Sequence, residues 1–187
     1  RDRLRGGIMN EKQLSSTSIY KCFFMELFED KVLLPNKETS TRIYITHPGA
    51  AAVLPITKTQ EVLLIKQFRY PIKKVTIEIP AGKKDETTET GLECVTRELE
   101  EETGYQSNKF EKFMDMHSCL GYSDELIELY IAHDVYPVDN PLPGDDDEFI
   151  EVGVYSVEEV DELLHTNQIT DGKTIILLQE FLRRNRS

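Results

Sequence analysis

Arg97-Glu98-Leu99-Glu100-Glu101-Glu102-Thr103-Gly104-Tyr105 is the stretch that decides how this 187-residue chain is read. On a helix turning about 100° per residue, Glu98, Glu101 and Glu102 project from one face, at i, i+3 and i+4. Like charges at that spacing destabilise an isolated helix by roughly a few tenths of a kcal/mol per pair. A bare acidic run is most often a solvated helix face. The competing reading is a site for a hard divalent cation such as Mg²⁺, whose all-oxygen shell combines a few carboxylates with water and substrate phosphate. The residues on either side weigh between the two.

Upstream, Gly82-Lys83-Lys84-Asp85-Glu86-Thr87-Thr88-Glu89-Thr90 holds no apolar residue and one glycine, which reads as a loop. Thr90 followed by Glu93 fits a capping box, with Leu92, Val95 and Leu99 as the apolar side behind it. A helix is therefore expected from near Gly91 to Gly104, the latter a natural C′ glycine. Arg97 lies four residues before Glu101 and can pair with it. The unit is a loop followed by a helix whose exposed face is expected to be nearly all acid.

These residues resemble the Nudix box, G-x5-E-x7-R-E-U-x-E-E-x-G-U, where U is aliphatic or aromatic. Gly82 opens it, Glu89 stands eight residues before Arg97, and Arg97-Glu98-Leu99 through Glu101-Glu102 to Gly104-Tyr105 fills the second half. One departure is visible: six residues rather than five separate Gly82 from Glu89. The insertion falls in the loop, where an extra residue is tolerated.

Segments outside the box resemble the ADP-ribose pyrophosphatase type of the Nudix hydrolase superfamily. His47-Pro48-Gly49-Ala50-Ala51-Ala52-Val53-Leu54-Pro55 is similar to its HPGAVAVLP stretch, and Gln67-Phe68-Arg69-Tyr70-Pro71 has a counterpart there too. Glu78-Ile79-Pro80-Ala81-Gly82 looks like the segment that leads into its box. Gly121-Tyr122-Ser123-Asp124-Glu125 resembles a G-F-S-x-E loop, and Asp146-Asp147-Glu148-Phe149-Ile150-Glu151-Val152 a D-x-D-E-F-I/L-E-V segment.

The resemblance implies Mg²⁺-dependent hydrolysis of ADP-ribose to AMP and ribose 5-phosphate, with Mn²⁺ as the other metal to consider. Another nucleoside diphosphate sugar, such as GDP-mannose, is the alternative substrate, because the box addresses only the diphosphate. A non-catalytic ADP-ribose sensor is a third reading, which the presence of all three box glutamates disfavours. The implied metal ligands are Glu98, Glu101 and Glu102 with the backbone carbonyl of Ala81, and Glu98 and Glu102 are the best aligned. Arg97 and Glu102 join the catalytic set. The general base is expected in a loop after the box, mapped to 141–148, with Glu148 first, Asp146 next and Glu151 third; a solvated acidic turn is the alternative for each. Arg69 is read as a phosphate contact or as a surface charge. Glu78 either faces the cleft and reads the nucleoside or alternates out to solvent. Arg42 binds substrate or a neighbouring strand, and Gly82 and Glu125 complete the substrate-binding set.

The remaining composition agrees. The net charge of −12, from 34 acidic against 22 basic residues, would repel a polyanion and argues against nucleic acid as a partner. No apolar run of about 18 residues is present to span a membrane. Cys22, Cys94 and Cys119 form an odd set without CxxC spacing, which suits a reducing, cytoplasmic setting rather than a disulfide framework or zinc site. Met9 is read as the native start, and residues 1–8 as a leader added for expression.

Along the chain, strands are expected at Ile19–Phe28 and Lys31–Pro35 with a turn at Glu29-Asp30, then at Thr41–Thr46, Ala50–Ile56, Glu61–Phe68 and Val75–Ile79. After the box come Phe110–His117, Glu125–His133 and Ile150–Tyr155, and helices near Val157–His165 and Asp171–Arg183 close the chain. This order indicates an α+β class, and the resemblance implies a Nudix fold, an α/β/α sandwich with a mixed β-sheet (48–187) and an antiparallel N-terminal β region (9–47). Members of the family branch often form homodimers by swapping that region and stack the adenine on one of its aromatics. This chain has no Trp, so Phe24, Phe28, Tyr20 or Tyr44 would have to serve.

Overall fold

The computed structural model describes residues 9–84, 88–144 and 149–186. They fall into two compact units: residues 9–48 with His117–Glu125, and Gly49–Met116 with the residues from Leu126 onward.

In the first unit, β1 (Lys12–Lys21), β2 (Glu26–Leu33) and β3 (Thr39–Thr46) form an antiparallel sheet in that order. The turn expected at Glu29-Asp30 is not there. The chain reverses between β1 and β2, where Cys22 N–H donates to Met25 O at 3.0 Å. Asp30 instead sits inside β2, only 5% exposed, because Gln13 Nε2 (2.7 Å) and the Tyr44 hydroxyl (3.1 Å) donate to its carboxylate. A residue that looked like part of a turn thus lies within a strand, hydrogen-bonded through its Oδ2. Residues 117–125 close on β3, with Ile45 N–H donating to Tyr122 O (2.8 Å) and His47 N–H to Asp124 Oδ1 (2.9 Å).

The second unit is built on a mixed sheet of β4 (Ala50–Thr57), β5 (Val62–Arg69), β6 (Lys74–Glu78), β7 (Ala81–Lys83), β8 (Tyr105–Gln106), β9 (Lys109–His117), β10 (Leu126–Pro137) and β11 (Ile150–Tyr155). The central order is β11-β5-β4-β10-β8, with β6 on β5, β7 on β4 and β9 on β10. β4 and β10 run parallel, whereas β5 pairs antiparallel with β4, β6 and β11.

Three helices cover this sheet: α1 (Gly91–Thr103), α2 (Val157–His165) and α3 (Gly172–Asn185). Alternation along β4 sorts its side chains between them. Ala51 and Val53 pack with Cys94, Val95 and Leu99 of α1. Ala52, Leu54 and Ile56 pack with Val160 and Leu163 of α2 and with Leu177, Leu178 and Phe181 of α3. Helices on both faces explain why the strand reads AAAVLPIT, with no polar alternation. This is the expected α/β/α sandwich.

Candidate active site

The box helix α1 begins and ends as its sequence dictates. Thr90 Oγ1 accepts from Glu93 N–H (3.2 Å), and Glu93 Oε2 accepts from Thr90 N–H (2.8 Å), closing the capping box. Gly104 ends the helix at φ +72°, its N–H donating to Glu100 O. Cys94 faces inward, and burial pushes its thiol up to about 12.

The acidic face is not exposed as its sequence suggests: Glu98 and Glu102 are buried, at 9% and 8% exposure. The strand β7 explains this. Gly82, taken from sequence as the start of a loop, pairs in β7 against Ala51, and a Cβ there would lie 1.6 Å from Glu98 Oε1. The glycine admits the Glu98 carboxylate where a side chain would exclude it. One residue earlier, Ala81 N–H donates to Glu102 Oε2 at 2.9 Å. Two carboxylates of α1 therefore close on the dipeptide Ala81-Gly82.

Glu101 turns aside. Arg97 Nη1 donates to both Glu98 Oε1 (2.7 Å) and Glu101 Oε2 (2.9 Å), Nε reaches Glu89 Oε1 (3.3 Å), and Nη2 reaches Lys83 O (3.3 Å). Burial works against the charge on Arg97, but Glu98, Glu101 and Glu89 outweigh it and raise its pKa. Three carboxylates share one guanidinium. Among the described residues, no three acidic, His or Cys side chains stand as a closed metal cage. The donor set still fits a hard divalent ion: oxygen only, on one helical stripe, with a glycine cradle beside it. Glu98, Glu102 and the Ala81 carbonyl are the candidates to hold it, and Glu101 would join by leaving Arg97.

The segment before the box is fastened residue by residue. Arg69 ends β5 and Glu78 ends β6. The guanidinium donates in a fork, Nε to Glu78 Oε1 (2.8 Å) and Nη2 to Oε2 (2.9 Å). Thr76 Oγ1 (2.6 Å) and Lys173 Nζ (2.7 Å) donate to the same carboxylate. Burial alone would raise the Glu78 pKa, but Arg69, Lys173 and Thr76 bring it down to about 2. Next along, Ile79 N–H donates to Thr174 Oγ1 (2.9 Å) and Val53 N–H to Pro80 O (2.9 Å). Glu78 is only 3% exposed, so the solvent-facing alternative is excluded. Arg69 keeps 38% of its side chain exposed.

Three groups that a local reading misses are brought in from far along the chain. Lys173 and Thr174 act on residues 95 positions away. Glu128 sits where a Cβ on Gly91 would meet it at 2.5 Å, held by Lys84 (2.6 Å) and Lys112 (2.7 Å) against the first turn of α1. A glycine directly after the N-cap was the available signal for that close approach.

Arg42, on β3, pairs with Glu11, its Nε donating at 2.9 Å. Glu125 accepts from the Ser118 hydroxyl and lies 3.6 Å from His47 Nδ1. Phe28 and Tyr44 stack on each other at 5.6 Å. Glu151 is exposed on β11 opposite Lys66. Asp146 and Glu148 lie outside the described residues. The start of their loop is anchored to the box helix, with Leu142 N–H donating to Glu100 Oε1 at 3.1 Å.

The NUDIX domain pattern matches residues 46–178. This chain belongs to the Nudix family. Among relatives, the Nudix chain is 33% identical to the ADP-ribose pyrophosphatase of Bacillus subtilis, over 91% of this chain and 92% of that protein. It is 34% identical to the methanol dehydrogenase activator of Bacillus methanolicus, over 93% and 94%. A GDP-mannose pyrophosphatase of Yersinia enterocolitica is 34% identical over 73% and 74%. The fold matches the crystal structure of an ADP compounds hydrolase with a TM-score of 0.79, covering 94% and 92% at 18% identity.

Proposed function

We propose that this Nudix hydrolase splits the diphosphate linkage of ADP-ribose, with water, into AMP and ribose 5-phosphate. The observation that carries the reading is the closure of Glu98 and Glu102 on Ala81-Gly82 beside Arg97. The whole-length likeness to a protein named ADP-ribose pyrophosphatase supports the choice of substrate. A bound Mg²⁺, or Mn²⁺, would neutralise the diphosphate oxygens and lower the pKa of an attacking water.

The chain's own groups divide the remaining work. Glu98, Glu101 and Glu102, with the Ala81 carbonyl, would hold the cation. Arg97 keeps the like-charged carboxylates together. Arg69 offers an exposed edge to a phosphate oxygen, and Gly82 leaves room for the carboxylate beside it. Glu148 is the favoured proton acceptor, ahead of Asp146 and Glu151, since its loop starts on Glu100 of the box helix. Arg42 and Glu125 are proposed as further substrate contacts.

The protein is proposed to act in the cytoplasm as a homodimer, without nucleic acid or membrane partners. In support of the dimer, β1 is exposed along all ten residues and presents Leu14, Ile19 and Tyr20 at 51–57% exposure, an edge suited to a second subunit. Among the described residues no helix is long and apolar enough to cross a membrane. GDP-mannose is the second reading, favoured by the likeness to a GDP-mannose pyrophosphatase.

Product analysis with Mg²⁺ and a panel of ADP-ribose, GDP-mannose, UDP-glucose, NADH and 8-oxo-dGTP tests the proposal. AMP and ribose 5-phosphate formed fastest from ADP-ribose is the expected result. Faster turnover of another diphosphate would overturn the substrate, and binding of ADP-ribose without turnover would make the chain a sensor.

A further inference from the structure

We infer that Lys173, in the first turn of α3, is a positioning residue that keeps Arg69 available to a phosphate. The inference rests on the reading of Arg69 as a phosphate contact.

Lys173 is buried to 11% side-chain exposure and donates to two carboxylates, Glu78 at 2.7 Å and Asp171 at 3.0 Å. Arg69 meets the same Glu78 through its fork. The cluster thus holds two acids and two bases, of which Arg69 is the most exposed, at 38% of its side chain, and Glu78 the least, at 4%. A lysine here is not a solvated surface charge. Its stem and head are enclosed, and burying an ammonium is favourable only where it is paired.

The consequence concerns charge at Arg69. With Lys173 in place, Glu78 is shared between two cations. Without it, Glu78 and Asp171 together face the guanidinium alone, and the local balance becomes one positive against two negative charges. Asp171 already acts on Arg69 through space, as does Glu102. A guanidinium surrounded in that way has a weaker field for an incoming diphosphate, and it is drawn towards the carboxylates. Asp171 also fixes the lysine's origin: it caps α3, accepting from Thr174 N–H at 3.1 Å. The sequence Asp171-Gly172-Lys173-Thr174 therefore places a cap, a cation and the Thr174 hydroxyl that holds Ile79 within one turn.

The test is a double-mutant cycle on the full chain, read as kcat and KM for ADP-ribose with Mg²⁺. Lys173→Met is expected to raise KM on the order of tenfold with kcat within about twofold, the pattern of lost uniform binding. Lys173→Arg, which keeps the charge, is expected to recover most of that loss. Arg69→Met/Lys173→Met is expected to match Arg69→Met alone, because the lysine acts through the arginine. Unchanged KM in a folded Lys173→Met protein, or effects that multiply in the double variant, would overturn the inference. Should Lys173→Met fail to fold, Lys173→Gln, which removes the same charge and keeps a hydrogen-bonding head, takes its place in the cycle under the same criteria. A readout free of turnover separates this inference from the functional proposal. The Arg69 Nε–H resonance is expected to move in Lys173→Met. If the wild-type protein hydrolyses none of the diphosphates, the functional proposal falls, and a resonance that stays in place would overturn the Lys173 assignment as well.

Discussion

Two clusters of charge flank the five residues from Glu78 to Gly82, and they are built on opposite plans. On the β6 side, Glu78 and Asp171 are matched by Arg69 and Lys173, and the carboxylate of Glu78 accepts four hydrogen bonds. On the α1 side, Glu89, Glu98 and Glu101 share the single guanidinium of Arg97, while Glu102 takes the Ala81 amide. The first arrangement is what a buried ionic network needs to be tolerated at all: each charge opposed, and both oxygens of the buried Glu78 carboxylate hydrogen-bonded twice. The second keeps like charges close with one cation to moderate them. Charge balance is a property of scaffolding here, and charge excess a property of the site. Removing an acid should therefore have opposite effects on the two sides of the segment.

Glu102→Gln should show the largest effect and affect activity alone. The amide still accepts from Ala81 N–H, so the fold should persist with stability equal to or above wild type. Turnover of ADP-ribose should fall on the order of a hundredfold or more as a charge is lost from the metal set. Steady-state kinetics beside thermal unfolding would check both halves, and near-wild-type turnover would break the comparison. Gly82→Ala comes next. Its Cβ would meet the end of the Glu98 side chain, which must swing away. The protein should fold, but its metal affinity should drop about tenfold or more, measured as the Mg²⁺ concentration for half-maximal rate.

Glu78→Gln should do the reverse, with stability as the first casualty. Folding lowers the Glu78 pKa from 4.5 to about 2. Its stabilising contribution is therefore complete above the unfolded value and lost as pH falls from about 4.5 towards about 2, amounting to about 3 kcal/mol. Denaturant unfolding across that range should show a steep loss in the wild-type protein and a flatter one in Glu78→Gln. Thr174→Val is the smallest of the set. It leaves the buried Ile79 N–H without its acceptor and should cost about 1–3 kcal/mol at pH 7, with the acid slope unchanged.

How much of this was legible follows from where the information lies. The box helix could be read to the residue because its cap, its apolar side and its terminal glycine are local. β4 and β5 were equally plain, β4 being buried on both faces and β5 likewise over its first four residues. The ten residues of β1 were read only at their end, since a strand exposed on every residue carries no pattern of burial to detect. Asp30 misled because its partners, Gln13 and Tyr44, lie on other strands. In the site, the alignment of Glu98 with Glu102 was visible from helical spacing. Their burial was not, because it depends on β7 lying alongside. Lys173 looked like any lysine at a helix start, and its meaning appears only when α3 is laid against the end of β6.

The most direct test of the contrast is a Mg²⁺ titration followed by thermal unfolding in the wild-type protein, Glu98→Gln and Glu78→Gln. A ligand that binds only the folded state raises its stability with concentration. The account predicts that Mg²⁺ raises the Tm of the wild-type protein and of Glu78→Gln by similar amounts, and leaves Glu98→Gln nearly unmoved. An equal gain in Glu98→Gln, or a gain lost only in Glu78→Gln, would contradict the assignment of the α1 carboxylates as the metal site.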